Sequence, residues 1–369
     1  MPDRFVRNIW RHQHRLLVRG KHQNARPICP EHLATSAPPL SSRQASDEDT
    51  IELTVNSTRL IHTTRLSGGN VASSPNEDED FFPGDFAGFK IKNAKSRSDI
   101  ACGTVAVQPS PLITNGQKAR PGEYPWHVAL YHARDGDANY TCGGSLISRY
   151  HVLTAAHCVS KPISQKLLDP ENVLVQLGKY YLRKSTPGMQ THKVSKITRH
   201  PQYESLKYAH DVAVIRLAQP ANFTNFVRPV CLWEGSGDIN HLLGKFGTVV
   251  GWGYDETGKL TDELTMLNMP VVSKEVCIYS LPDFYPRFTT IETYCAGFTN
   301  GSSACNGDSG GGMVFQRNTG NPEKKAYHLR GLISLSVALQ NEAKCNPTHY
   351  VVFTDVAKYL GFIKQAMAE

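Results

Sequence analysis

Cys305-Asn306-Gly307-Asp308-Ser309-Gly310-Gly311 sets a serine among glycines. Glycine on both sides permits a tight turn, which exposes the Ser309 hydroxyl and aims neighbouring backbone N–H groups at one point. Two earlier stretches give this turn its meaning. In Leu153-Thr154-Ala155-Ala156-His157-Cys158, small residues let the backbone before a histidine pack tightly, and Cys158 can staple the loop. In His210-Asp211-Val212-Ala213-Val214-Ile215, an acid opens an apolar strand, which buries its carboxylate at the strand end. Each has a bland reading when taken alone. A single buried histidine is usually structural, Asp211 could be a turn residue, and Gly-x-Ser-Gly could be an ordinary loop. Their joint occurrence, in the order His, Asp, Ser, is not accounted for by chance.

Around these blocks the chain has two textures. From Cys102 onward, short β-rich runs alternate with Gly, Pro, Asn and Asp, as in His127–Tyr131, Val173–Leu177, Val212–Leu217, Gly247–Gly251, Gly312–Phe315 and Leu329–Ser334. That spacing predicts an all-β barrel or sandwich. Val356, Tyr359, Leu360, Ile363 and Met367 then recur at helical spacing after Thr354-Asp355, which predicts a C-terminal amphipathic helix. Residues 1–101 lack periodic apolar pattern and carry acidic runs, Asp47-Glu48-Asp49 and Glu77-Asp78-Glu79-Asp80. They read as linker or disordered chain with one short strand at Ile51–Val55.

Of the 369 residues, 40% are hydrophobic and 20% charged, enough to bury a core. The net charge of +7 is concentrated at the N-terminus, where Arg4, Arg7, Arg11, Arg15, Arg19, Lys21 and Arg26 face only Asp3. No aromatic-basic pattern accompanies them, so a nucleic-acid partner is not expected. No run is long enough to span a membrane. The nine cysteines include no CxxC pair of the kind zinc sites use. Disulfides and an oxidising compartment are therefore expected, together with sequons at Asn56, Asn139, Asn222 and Asn300. The longest early apolar run, Leu16-Leu17-Val18, is too short for a signal peptide, so the chain reads as a truncated or alternative form of a secreted protein.

The three blocks resemble the chymotrypsin-like serine proteases, over roughly Cys102 to Phe362, with Cys142-Gly143-Gly144-Ser145-Leu146-Ile147, Gly251-Trp252-Gly253 and Gly331-Leu332-Ile333-Ser334 as further matches. The resemblance implies two six-stranded antiparallel β-barrels followed by a C-terminal helix, with the site in the cleft between them. It makes His157, Asp211 and Ser309 the catalytic triad and the N–H groups of Gly307 and Ser309 the oxyanion hole. Ser334 would support the buried aspartate and bind substrate backbone. Pro111-Leu112-Ile113-Thr114-Asn115-Gly116 implies a zymogen cut between Leu112 and Ile113, whose new α-amino group pairs with Asp308. The implied layout is an N-terminal region 1–101, a tethered propeptide 102–112 and a protease domain 113–369. The implied bridges are Cys102–Cys231, Cys142–Cys158, Cys277–Cys295 and Cys305–Cys345. Cys29 is left over, either free or separated from a lost partner. A further family bridge is absent at both ends, near Gly247-Thr248 and Phe315.

Departures from the family pattern bear on specificity. Ser303 stands at the pocket floor where trypsin-like members carry an aspartate, Ser336 and Val351 stand where wall glycines are usual, and Leu335 replaces a tryptophan. The pocket is expected to take a medium aliphatic side chain such as Leu, and Leu112 presents that residue at the activation bond. This combination resembles the protease domain of the modular serine proteases of arthropod innate immunity. The expectation is a secreted, self-activating endopeptidase that needs no cofactor or metal. Its partners would be itself, a downstream clip-domain zymogen and serpin inhibitors. The loop from Lys179 to Gln190 carries no carboxylates for calcium. Two other readings are a non-catalytic protease homologue acting as a binding cofactor and an elastase-like digestive protease. The intact serine and histidine weigh against the first, and the tethered propeptide weighs against the second.

Overall fold

In the computed structural model, the described residues are 101–107, 117–134, 137–161, 164–255, 258–299, 304, 307–318, 325–337, 346 and 348–369. After the two-residue strand β1 (Gln117–Lys118) come β2 (His127–Arg134), β3 (Asp137–Leu146), β4 (His151–Thr154), β5 (Val173–Leu177), β6 (Gln190–Arg199) and β7 (Ala213–Leu217). The six strands after β1 pair antiparallel in the order β2-β3-β4-β7-β6-β5, and β5 returns to β2, so the sheet closes. Period-two alternation fills its interior: Val173, Val175 and Leu177 of β5 are buried, while Leu174 and Gln176 between them are only half-buried. They meet Val128, Leu130, Val152 and Ile215 in one core.

A second ring forms from β9 (Phe246–Gly251), β10 (Thr265–Val272), β11 (Thr293–Ala296), β12 (Gly312–Asn318), β13 (Lys325–Leu335) and β14 (Val351–Asp355). The path runs β10-β11-β14-β13-β12-β9, and β9 pairs back to β10. β1 joins the outside of β10, and the short β8 (Cys231–Leu232) runs parallel to β13. Met269, Met313, Ile333 and Phe353 fill the interior, with Tyr294 stacked on Phe353 at 5.3 Å between ring centroids. The expected pair of six-stranded antiparallel barrels is the observed fold.

Element ends differ from the sequence reading where polar residues extend a ladder. The β12–β13 hairpin runs on through Gln316 and Arg317, because backbone pairing continues past the last core residue. β7 begins at Ala213 instead of Val212. A short helix α1 (Lys274–Ser280), not expected from the sequence, starts where the Ser273 hydroxyl accepts the Val276 N–H. At the C-terminus, Thr354 and Asp355 finish β14. Asp355 then caps a 3-10 turn (Val356–Lys358) that leads into α2 (Leu360–Ala368). The buried stripe is Val356, Tyr359, Ile363 and Ala366, with Leu360 and Met367 at its half-buried margin.

Three of the implied disulfides are present: Cys102–Cys231, Cys142–Cys158 and Cys277–Cys295. Cys305–Cys345, Cys29 and the Ile51–Val55 strand lie outside the described residues. At the positions of the missing family bridge, a Cβ added to Gly247 would come within 2.6 Å of the Phe315 ring. An aromatic ring packed on a bare backbone occupies that place. No described helix is long and apolar enough to cross a membrane.

Candidate active site

The first barrel supplies two of the three expected residues. His157 sits in the 3-10 turn Ala156–Val159, directly after β4, and Cys158 anchors that turn to Cys142 of β3. Asp211 precedes β7 and is fully buried. A buried carboxylate is costly unless every lone pair is used, and here they are engaged from several sides. Its Oδ1 accepts the His157 backbone N–H at 2.9 Å. Its Oδ2 lies 2.8 Å from His157 Nδ1 and accepts the Ser334 hydroxyl at 2.6 Å. The Asp211 carbonyl accepts the Thr354 hydroxyl at 3.0 Å. With Nδ1 committed to the carboxylate, His157 turns Nε2 away from Asp211. The imidazole retains about a fifth of its surface exposure. Tyr208 packs edge-on against it at 5.6 Å.

The second barrel brings Ser309. Its loop is stitched to both halves: the Gly143 N–H of β3 donates to the Ser309 carbonyl at 2.8 Å, and the Gly310 N–H donates to the Ile333 carbonyl at 2.8 Å. Gly307 and Gly310 adopt φ of 96° and 77°, where side chains are strained. At Gly310 a Cβ would also lie 2.3 Å from the Thr154 hydroxyl, so the serine turn can approach the first barrel only with glycine there.

Asp308 explains the Gly251-Trp252-Gly253 motif. Its carboxylate lies between the two glycines, such that a Cβ on Gly251 would meet Oδ1 at 2.0 Å and one on Gly253 would meet Oδ2 at 2.1 Å. The Gly253 N–H donates to Oδ1 at 2.7 Å. Trp252 is pinned by its indole N–H on the Tyr180 carbonyl at 2.9 Å.

One residue of this neighbourhood was not singled out in the sequence. The Tyr140 hydroxyl donates to the Gly307 carbonyl at 2.5 Å, and its ring stands edge-on to Trp252. Burial, reinforced by the nearby Asp308 carboxylate, pushes the phenol well above its ordinary value, so it remains a donor. No sequence signal marks it, because a tyrosine at the end of a sheet alternation reads as core. Beside Trp252 is His127, which is fully buried and held neutral by burial, with its value lowered to about 3.

The expected specificity residues are partly in view. Ser334 is buried in β13, Leu335 ends that strand beside the Phe284–Phe288 cluster, and Ser336 follows it half-buried. Val351 opens β14, wholly buried and paired with Ala296. Ser303, Leu112 and Ile113 lie outside the described residues, as do sequons Asn56 and Asn300. Asn139 and Asn222 are exposed. Cys142, His157 and Cys158 bring metal-ligand atoms together, but the two cysteines are joined to each other and offer no thiolate.

The family described as Trypsin matches residues 113–363. Clotting factor C of Tachypleus tridentatus is 31% identical over 273 residues, which cover 72% of this chain and 26% of that protein. The chain thus spans about a quarter of that longer relative. Chymotrypsin-C of Bos taurus is 33% identical over 271 residues, covering 72% of this chain and 94% of its own length. Phenoloxidase-activating factor 3 of Holotrichia diomphalia is 32% identical over 271 residues, covering 69% of this chain and 72% of its own.

Proposed function

The chain belongs to the trypsin family of serine proteases, and from that premise we propose that it is a secreted endopeptidase zymogen with Ser309 as nucleophile, His157 as general base and Asp211 as orienting acid. The observation that carries this reading is the hydrogen-bonded line Ser334–Asp211–His157, closed against a serine turn tied to both barrels. Ser309 Oγ attacks the scissile carbonyl while His157 Nε2 takes its proton and later passes it to the leaving amine. Asp211 holds the tautomer and stabilises the imidazolium. The N–H groups of Gly307 and Ser309 receive the oxyanion. No cofactor or metal enters the reaction. Reaction of the activated chain with an organophosphate probe tests the reading. Labelling confined to Ser309 supports it, and an unlabelled but properly folded chain would return the non-catalytic homologue to first place.

Tyr140 is a positioning residue in this scheme, since it fixes the Gly307 peptide that carries one oxyanion donor. Tyr140→Phe removes one hydrogen bond worth roughly 1–1.5 kcal/mol, and kcat should fall about tenfold with KM nearly unchanged. A change in KM alone would make the contact merely structural.

Substrate preference follows from Ser303, Ser336 and Val351. With no carboxylate at the floor, an Arg or Lys side chain would bury its charge without a partner. Fully buried Val351 supports a shortened pocket. Peptide libraries should show Leu or a similar aliphatic residue before the scissile bond, and a clear Arg or Lys preference would overturn this assignment. The relatives named for clotting and for phenoloxidase activation support a place in an extracellular proteolytic immune cascade, with a clip-domain zymogen downstream and serpins as inhibitors.

A further inference from the structure

A cavity of about 490 Å³ opens on the second barrel and shares no residue with the triad or with Ser334. Its lining includes buried Trp233, Phe315 and Tyr327, beneath exposed Phe246 and two cations, Lys245 and Arg317. The Arg317 guanidinium lies over the Trp233 ring, 4.6 Å from its centroid. Neither Lys245 nor Arg317 is paired with a carboxylate among the described residues. The one lining acid, Asp238, accepts the Asn240 N–H and faces His241 at 3.8 Å. Apolar rim residues are exposed too, Phe246 at 49% and Leu243 at 38%. An aromatic floor with unpaired cations above it suits an acidic, aromatic peptide.

We propose that this cavity seats the chain's own segment 77–86, Glu77-Asp78-Glu79-Asp80-Phe81-Phe82-Pro83-Gly84-Asp85-Phe86, with its carboxylates on Lys245 and Arg317 and its phenylalanines on the Trp233–Phe315 floor. The tether makes the match intramolecular. Cys102 is bonded to Cys231, two residues before Trp233, and Phe86 precedes Cys102 by sixteen residues. That length reaches roughly 55 Å when extended, ample for a site beside its own anchor. A flexible link of this size sets an effective concentration in the millimolar range, so weak contacts suffice. The other acidic run, Asp47-Glu48-Asp49, lies farther along the chain and has no phenylalanines beside it. The bridge survives cleavage at Leu112, so the segment stays seated on the activated domain. The inference depends on the bridge and the cavity and stands apart from the assignment of catalytic roles.

The test uses the full chain with photoreactive p-benzoylphenylalanine in place of Phe246, irradiated at micromolar concentration and mapped by mass spectrometry. The main cross-link should fall within residues 77–86 of the same molecule. Lys245→Glu with Arg317→Glu should cut its yield at least fivefold, and adding Asp78→Lys with Asp80→Lys should restore it. Restoration by charge reversal separates a lost contact from a damaged fold. Cross-links chiefly elsewhere in residues 1–101, cross-links to a second copy, an absence of cross-links, or failure of the reversed pair to recover would each overturn the proposal.

Discussion

Ser309→Ala should lower kcat by about a million-fold and abolish labelling by an organophosphate probe, while leaving the fold intact. The magnitude follows from the cooperative behaviour of serine triads, in which loss of the nucleophile alone costs about as much as loss of the whole set. Residual turnover comes from oxyanion donors and substrate binding. The fold should survive because the hydroxyl is not what fastens this turn. The Gly143 N–H bonds the Ser309 backbone carbonyl, and Gly310 and Gly311 bond Ile333 and Asp308 through main-chain atoms. Alanine keeps all of these. The measurement is burst and steady-state hydrolysis of a Leu-containing peptide by activated enzyme, alongside thermal unfolding. Equal hydrolysis by the alanine variant would remove Ser309 from the mechanism. Equal loss of activity and of melting temperature would mean that the turn had been misread as independent of the side chain.

The barrels were legible because half-buried strands advertise themselves by alternation, as β5 does with Val173, Val175 and Leu177 inside. β6 was not legible. Its Gln190–Arg199 run is largely polar on the outer face and buries few apolar residues, so periodicity gives little signal. α1 is seven residues long, and only the Ser273 cap marks it. Within the site, the His, Asp and Ser blocks were readable because glycines and small residues around each are demanded by backbone proximity. Gly251 and Gly253 show the same demand, though its cause, the Asp308 carboxylate between them, appears only in three dimensions. Tyr140 and Tyr208 were invisible for the opposite reason. An aromatic residue is an ordinary core choice, and nothing in one sequence distinguishes a ring that packs from a hydroxyl that aims a peptide. Fully buried Arg330 is a similar case, since its bond to Asp355 at 2.9 Å joins two strands far apart in sequence.

Concentrated zymogen should activate itself, yielding a chain that begins Ile113-Thr114-Asn115-Gly116 and stays attached through Cys102–Cys231 until reduced. Two independent features lead there: a pocket suited to aliphatic side chains and a Leu at the activation bond. Before cleavage, Ile113 is an amide-linked residue; cleavage creates an α-ammonium able to pair with Asp308. Asp308 immediately follows Gly307, whose N–H is an oxyanion donor, so ordering that carboxylate orders the site. The uncut chain should therefore show little activity, carried by a minor active population. Because the reaction is between molecules, its rate should rise steeply with concentration or with clustering on a surface. Leu112→Asp should stop processing, since an acid enters an apolar pocket at a desolvation cost of several kcal/mol. Once cut by an added protease at an engineered site, the same domain should be fully active. The Ser309→Ala zymogen supplies the decisive comparison. It should remain intact alone yet be cut at Leu112 by a trace of active enzyme. Processing of the alanine zymogen without that trace would trace the cleavage to a contaminant and leave self-activation without support.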